Sequence, residues 1–274
     1  MIIYPIIYEL KHKLVRKLPF ERIIYIEPWG CNWDCRWCLR KFAIFKDMVP
    51  IRLSTDQITN LLLKLDGGRE TMVAIGGEGE PLLQKEEVLK LIESLKTETN
   101  YTVMLVTNGS LIEEDFIDKV NDLGLDGITT WFYNLDDEWY RWYTGHSNKD
   151  TIKALELVTK KFKGLAAVSI VLFPDIDMVT FEKMCKFLHD INPNFLIKIC
   201  CPIHNKYEYK ECHEKRRYKF EKIALHYFRR MDRGLYFSEQ TKNAKYLIEK
   251  DESGHMKLLK SWEQERTKEA MKYG

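Results

Sequence analysis

The chain has no apolar run approaching the ~20 residues that a helix needs to cross a bilayer. It shows no basic-then-apolar leader with a small-residue cleavage site, because the opening MIIYPIIYELKHKLVRKL runs from apolar to basic. Its seven cysteines are an odd number and contain only one C-x2-C pair, which speaks against a secreted disulfide framework. These absences together predict a reducing, cytoplasmic setting with no membrane partner. Net charge is also small, +2 over 274 residues, so whole-chain electrostatics select no partner. There is no internal repeat, low-complexity tract or clear linker. An apolar fraction of 45% supports a substantial core in one large domain or two small ones.

The small net charge hides an uneven distribution. Residues 198–274 carry nineteen Lys and Arg against twelve Asp and Glu. Such a basic third suits an acidic protein, RNA or a phosphorylated substrate, or is simply a solvated helical face. At the other end, Tyr4, Ile7 and Leu10 recur at helical spacing. Residues 1–20 are therefore read as an N-terminal helix capping the fold, with contact to a membrane surface as the alternative.

Between these ends, apolar runs alternate with amphipathic segments. Strands are expected at Arg22–Glu27, Met72–Ile75, Tyr101–Val106, Gly127–Phe132, Leu165–Leu172 and Phe195–Cys200. Helices are expected after Ser54, a plausible N-cap, then over Val88–Lys96, Glu113–Leu123, a charged stretch after residue 134, Thr151–Phe162 and Thr180–His189. This alternation predicts an α/β fold with a parallel sheet, either a partial barrel of six β/α units or a doubly wound open sheet. Residues 205–274 read as a helical, basic C-terminal cap.

The stretch Cys31-Asn-Trp-Asp-Cys35-Arg-Trp-Cys38 organises the chain. Three thiols on one short loop, with no fourth Cys near, can hold three irons of a [4Fe–4S] cluster and leave the fourth iron open. Structural zinc wants four closed ligands, commonly two C-x2-C pairs, and fits less well. Chemistry in parallel α/β folds gathers at the C-terminal ends of the strands. Each remaining motif falls at such an end: Gly76-Gly77-Glu78-Gly79-Glu80-Pro81, Thr107-Asn108-Gly109 and Pro202-Ile203-His204.

CNWDCRWC, GGEGEP and TNG, in this order, resemble the motifs of the radical S-adenosylmethionine (radical SAM) enzymes over residues 21–204. The resemblance implies a partial (β/α)6 parallel barrel and an oxidoreductase that carries a [4Fe–4S] cluster on Cys31, Cys35 and Cys38. It implies SAM chelated to the fourth iron and cleaved reductively to a 5′-deoxyadenosyl radical, which takes hydrogen from a substrate. A one-electron reductant of flavodoxin or ferredoxin type goes with this chemistry. Gly76 and Gly77 would let backbone approach the methionine end of SAM, and Glu78 or Glu80 would meet its amino group; both stay open. Thr107 and Asn108 would touch ribose or carboxylate, or merely form a turn. Trp33 and Trp37 would shield the cluster, stack on the adenine, or fill the core.

Residues 199–204 resemble the glycyl-radical-enzyme activating enzymes, in which a strand ends in Pro-x-His and the His meets SAM, here His204. That implies a protein substrate, with RNA, peptide or small-metabolite modification as alternatives and a non-enzymatic metal module as a third. Those activating enzymes carry Asp and Lys where this chain has Trp131 and Tyr133. Strand alternation puts Thr129, Trp131 and Tyr133 on one face, so Trp131, Tyr133 and His204 are expected to line the substrate pocket, with residues 205–240 as its lid. Cys200, Cys201 and Cys212 are candidates for a second cluster or plain buried thiols, and Cys185 is expected in the core.

Overall fold

The computed structural model describes residues 1–11, 22–41, 48–66, 70–200, 214–233, 244–250 and 256–260. The chain opens on a strand, β1 (Ile2–Lys11), and not on the helix expected over residues 1–20. Ile2, Ile3, Ile6 and Ile7 are β-branched and Tyr4 and Tyr8 aromatic, a composition that favours a pleated sheet over the i, i+3 pattern. Pro5 sits where the register against the next strand shifts between Ile3 and Ile7, a place that can spare a ladder donor.

The six expected parallel strands follow, and one short antiparallel pair is added. They are β2 (Arg22–Pro28), β4 (Thr71–Ile75), β5 (Thr102–Thr107), β6 (Gly127–Phe132), β7 (Leu165–Val171) and β8 (Leu196–Cys200), with β3 (Ile51–Arg52) set against β1. Helices α1 (Thr55–Asp66), α2 (Lys85–Glu98), α3 (Glu114–Asp122), α4 (Asp137–Thr144), α5 (Asn148–Lys161) and α6 (Met178–Ile191) connect them. Ser54 does cap α1: its Oγ accepts from Gln57 N at 3.2 Å while Gln57 Oε1 accepts from Ser54 N at 2.9 Å, a capping box.

The expected all-helical C-terminal cap is also corrected. Beyond α7 (Glu214–Tyr227), the described residues form β9 (Arg230–Arg233), β10 (Ala244–Lys250) and β11 (Met256–Lys260). β9 adds a seventh parallel strand beside β8, and the β10–β11 pair joins β1 at the opposite edge. Lysines punctuate β10 and β11, and that charge conceals the alternation in the sequence. The sheet order is β11-β10-β1-β2-β4-β5-β6-β7-β8-β9, an open, partial barrel. No helix among the described residues is long and apolar enough to cross a membrane.

The two faces of the sheet divide the side chains by function. Ile24, Ile26, Val73, Ile75, Val103, Leu105 and Ile128 pack under helical residues such as Leu62, Val88, Ile92 and Phe116. Ile23, Met72, Ala74, Met104 and Val106 form a separate cluster built from strands alone, with Tyr25, Trp131 and Leu165 against it. That helix-free face is the concave interior. The ladder puts Val106, Thr129 and Ala167 on one interior rung and Trp131, Ser169 and Lys198 on the next.

Candidate functional site

The chain leaves β2 through Gly30, whose positive φ of 88° turns it into the cysteine loop. Cys31, Cys35 and Cys38 are half-buried free thiols. Burial raises the proton affinity of all three, and the thiols reinforce one another, with Cys35 pushed up to about 12 by burial and then by Cys38 and Cys31. Among the described residues no group of three or more His, Cys, Asp or Glu is arranged to hold a single metal ion. Three half-buried thiols on one short loop suit one corner of a multi-iron cluster.

Helix α4 holds this loop. Asp34 N donates to Thr144 O at 3.2 Å and Arg36 N to Tyr143 O at 2.8 Å. Trp37 packs on Trp142, Tyr143 and Phe173 with ring centroids 5.3–5.5 Å apart. Trp33 is buried, stacked on His146 and edge-on to Tyr140. Trp33 thus fills the core role, while Trp37, half-buried, packs against the edge of the core. The α4 aromatics were missed in the sequence, where DEWYRWYT reads as a charged helix; its signal was the aromatic spacing at 139, 140, 142 and 143.

The second motif lies against this loop. A Cβ on Gly76 would stand 2.1 Å from Val106 O, and one on Gly79 would stand 1.8 Å from Pro28 O. These two glycines are required by the packing of the protein's own backbone, a different reason from the ligand approach expected. Glu80 is 1% exposed and fully engaged. Its Oε1 accepts from Leu82 N at 3.0 Å and Thr107 Oγ1 at 2.8 Å, and its Oε2 from Asn108 N at 2.8 Å. Glu80 therefore clamps GGEGEP to TNG and caps the 3-10 turn Pro81–Gln84. Burial still pushes it up to about 7 against those three hydrogen bonds.

Glu78 is placed otherwise. Its carboxyl is driven well above the usual carboxylate range by burial and by the nearby Glu27, while Arg40 pulls the other way. Glu27, at the end of β2, accepts from Glu78 N at 2.7 Å and is itself pushed up to about 7 by burial. Arg40 also lowers the proton affinity of Cys38 and Tyr4, so one guanidinium acts on a thiol, a phenol and the Glu78 carboxyl together. Its Nη2 donates to Trp33 O at 3.2 Å, and its buried Nε–H meets no acceptor among the described residues. Glu27 and Arg40 belong to the site and went unread in the sequence, since one ends an apolar strand and the other follows the last cysteine.

Thr107 and Asn108 are occupied by their own turn. Thr107 Oγ1 accepts from Gly109 N at 3.0 Å, and Asn108 Oδ1 accepts from Ser110 N at 2.9 Å. Asn108 Nδ2 donates to Asn32 Oδ1 at 2.9 Å and approaches Cys31 Sγ at 3.8 Å, which ties TNG to the cysteine loop. Trp131 faces the concave interior, and Tyr133 lies parallel to it at 6.4 Å and against Tyr143 at 4.9 Å. Cys185 is buried in α6 as expected. Cys200 ends β8, whereas Cys201, His204, Cys212 and most of the expected lid segment lie outside the described residues or form α7 and β9.

The chain is similar to known proteins over most of its length. A Methanocaldococcus jannaschii protein provisionally named a glycyl-radical enzyme activating enzyme is 27% identical over 239 residues, covering 86% of this chain and 89% of that protein. The 7-carboxy-7-deazaguanine synthase of Clostridium acetobutylicum is 27% identical over 180 residues, covering 61% of this chain and 79% of that enzyme. Streptococcus suis SuiB, solved bound to S-adenosylmethionine, superposes with a TM-score of 0.60 at 12% identity, covering 80% of this chain and 48% of SuiB, and so shares the fold. The family model described as the Radical SAM superfamily matches residues 29–188. That family uses a [4Fe–4S] cluster and SAM, and the thiol triplet, the carboxylates and the partial barrel fit both. The chain belongs to the radical SAM superfamily.

Proposed function

We propose that this chain is a radical SAM activating enzyme that abstracts hydrogen from a protein partner. The observation that carries the reading is the convergence of the three thiols with Glu27, Glu78 and Arg40 at the C-terminal ends of β2 and β4. In this reading Cys31, Cys35 and Cys38 hold three irons of the cluster. A reduced cluster held there would supply the one-electron chemistry for reductive cleavage of SAM. Glu78, rather than Glu80, would accept from the amino group of SAM, because Glu80 is spent on three internal donors. Gly76 and Gly77 shape the loop that carries Glu78. Trp131 forms one wall of the substrate space on the concave face, and the aromatic wall of Trp37, Tyr143 and Phe173 keeps water from the cysteine loop. His204 is assigned to SAM on the resemblance of its segment alone.

The protein substrate rests on the similarity to the M. jannaschii protein along nearly the whole of both chains. SuiB, with the same fold, has also been solved with its precursor peptide SuiA, which makes a polypeptide substrate the first to try. A flavodoxin- or ferredoxin-type reductant and a cytoplasmic setting complete the reading. Anaerobic reconstitution should load about four irons per chain and, with dithionite and SAM, release 5′-deoxyadenosine. Cys35→Ala should abolish both, and retained cleavage in that variant would remove the assignment. Salt-titrated binding of bulk RNA tests the competing class, for which a steep salt dependence is expected.

A further inference from the structure

Arg40 has no task in the reading above, yet it is set into the cysteine loop. It lies two residues past Cys38, in the 3-10 turn Leu39–Lys41, where Lys41 N donates to Cys38 O at 3.0 Å. It is half-buried, and its Nη2 donates to Trp33 O at 3.2 Å. Trp33 falls between Cys31 and Cys35, so the guanidinium spans back across the loop. Two buried side-chain polar atoms among the described residues lack a partner, Trp33 Nε1 and Arg40 Nε, and both belong to this loop. No carboxylate among the described residues forms an ion pair with Arg40. Burial opposes its charge, and the sulfurs of Cys38 and then Cys31 favour it. A buried N–H without an acceptor is costly. Sulfur already takes donors elsewhere in the loop: Trp33 N donates to Cys31 Sγ at 3.4 Å, and Asn108 Nδ2 approaches the same atom at 3.8 Å. An acceptor that arrives with the cluster, a sulfur at its Cys38 corner, would complete the set.

We propose that Arg40 sets the reduction potential of the cluster: its guanidinium, held by Trp33 O, donates Nε–H to a sulfur at the Cys38 corner and favours the reduced state. This rests on the radical SAM reading of Cys31, Cys35 and Cys38. Reduction adds one negative charge to the cluster, and a cation hydrogen-bonded to its sulfur stabilises that charge. A residue that only braced the loop would change iron retention and leave the potential where it was.

The test is a redox titration without SAM. Wild type, Arg40→Met, Arg40→Lys and Arg40→Gln are reconstituted anaerobically, matched for iron content and poised with mediators, and the reduced cluster is counted by its electron paramagnetic resonance signal. In Arg40→Met the equilibrium constant for reduction should fall about tenfold, or ~59 mV for this one-electron couple. Arg40→Lys keeps the charge and should recover part of that fall. An unchanged potential in Arg40→Met overturns the proposal: with faster iron loss Arg40 is a brace, and with weaker SAM binding its guanidinium belongs to the SAM carboxylate. If Arg40→Met does not load iron, Arg40→Gln decides by the same measurement, with a fall of about threefold expected from a neutral donor. If neither loads, the residue is structural and the proposal fails. A wild type that forms no four-iron cluster removes the radical SAM reading and the proposal with it.

Discussion

The rim of this barrel has two halves held by different physics. Over β2, β4 and β5 the loops are joined by hydrogen bonds to buried carboxylates: Glu80 takes two donors from TNG and one from Leu82 just past its own motif, and Glu27 takes one from the residue after Gly77. Over β6 and β7 the same cysteine loop is held by rings, with Trp37, Tyr133, Tyr143 and Phe173 mutually within 6.2 Å where they pair. A polar half fixes directions, and its failure leaves donors unsatisfied. An aromatic half fixes distances, and its failure leaves a cavity that neighbours can partly fill. The charged end of a cofactor belongs on the first and an apolar shield on the second. The two halves should therefore break differently.

The largest break is expected at Glu80. Glu80→Ala strands Leu82 N, Asn108 N and the Thr107 hydroxyl in a buried site, for a cost of about 4 kcal/mol given ~1–3 kcal/mol for each unmet donor and incomplete additivity. Denaturant unfolding of the apo protein should show it as a lower midpoint. Glu80→Gln, which keeps one acceptor oxygen, should lose clearly less. Equal losses would mean that the carboxylate fills space and does not join the motifs.

The same residue sharpens the contrast through pH. Glu80 in the fold is pushed up to about 7 from an ordinary value of 4.5, by burial. The folded state then holds more protons than the unfolded chain between pH 4.5 and 7. Its contribution is fully present below that window and is lost as pH rises through about 7, by up to ~3 kcal/mol. Unfolding free energies of wild type should decline over this range more steeply than those of Glu80→Gln. Parallel curves would place the titration elsewhere, and Glu27, also pushed up to about 7, is the next residue to replace.

The two halves were also unequally legible. The six parallel strands read correctly because they are continuous apolar runs, and the three motifs stood out because each ends one of them. Glu78 and Glu80 could not be separated in GGEGEP, where each follows a glycine. Only the 3-10 turn starting at Pro81 shows that the second carboxylate is a cap. Glu27 looked like the last residue of a strand, and its partner lies 51 positions on. The aromatic half was least readable. Rings at 139, 142 and 143 meet Trp37 or Phe173 only through tertiary contact, which no local pattern encodes. At both ends of the chain, β-strands were hidden, first by a helical spacing of apolar residues and then by lysines.

On the aromatic half, Trp37→Ala should cost less than Glu80→Ala. Full truncation of a buried aromatic costs ~3–5 kcal/mol, and Trp37 is only half-buried, so about 2 kcal/mol is expected. The cysteine loop should still bind iron but release it faster under a chelator, because three ring contacts no longer press on it. Trp37→Phe should restore much of that retention. A loss insensitive to ring size would show that Trp37 is no packing element.

The smallest effect should come at the outer margin of that half. Arg36 is exposed, its Nε donates to Trp142 O at 2.6 Å, and its guanidinium lies 4.8 Å from the Trp142 ring centroid. Both contacts are open to water, which screens the charge and competes for the carbonyl. An exposed cation–π contact is worth about 0.5–1 kcal/mol. Arg36→Met keeps the aliphatic stem over the ring and should lower stability by no more than that, with iron retention unchanged. Pinning of the loop runs through Arg36 N to Tyr143 O, a backbone contact that the substitution leaves intact. If Arg36→Met nevertheless releases iron as fast as Trp37→Ala, the loop is held at this side by a surface cation and not by buried rings. The division of the rim into a polar and an aromatic half would then have to be redrawn.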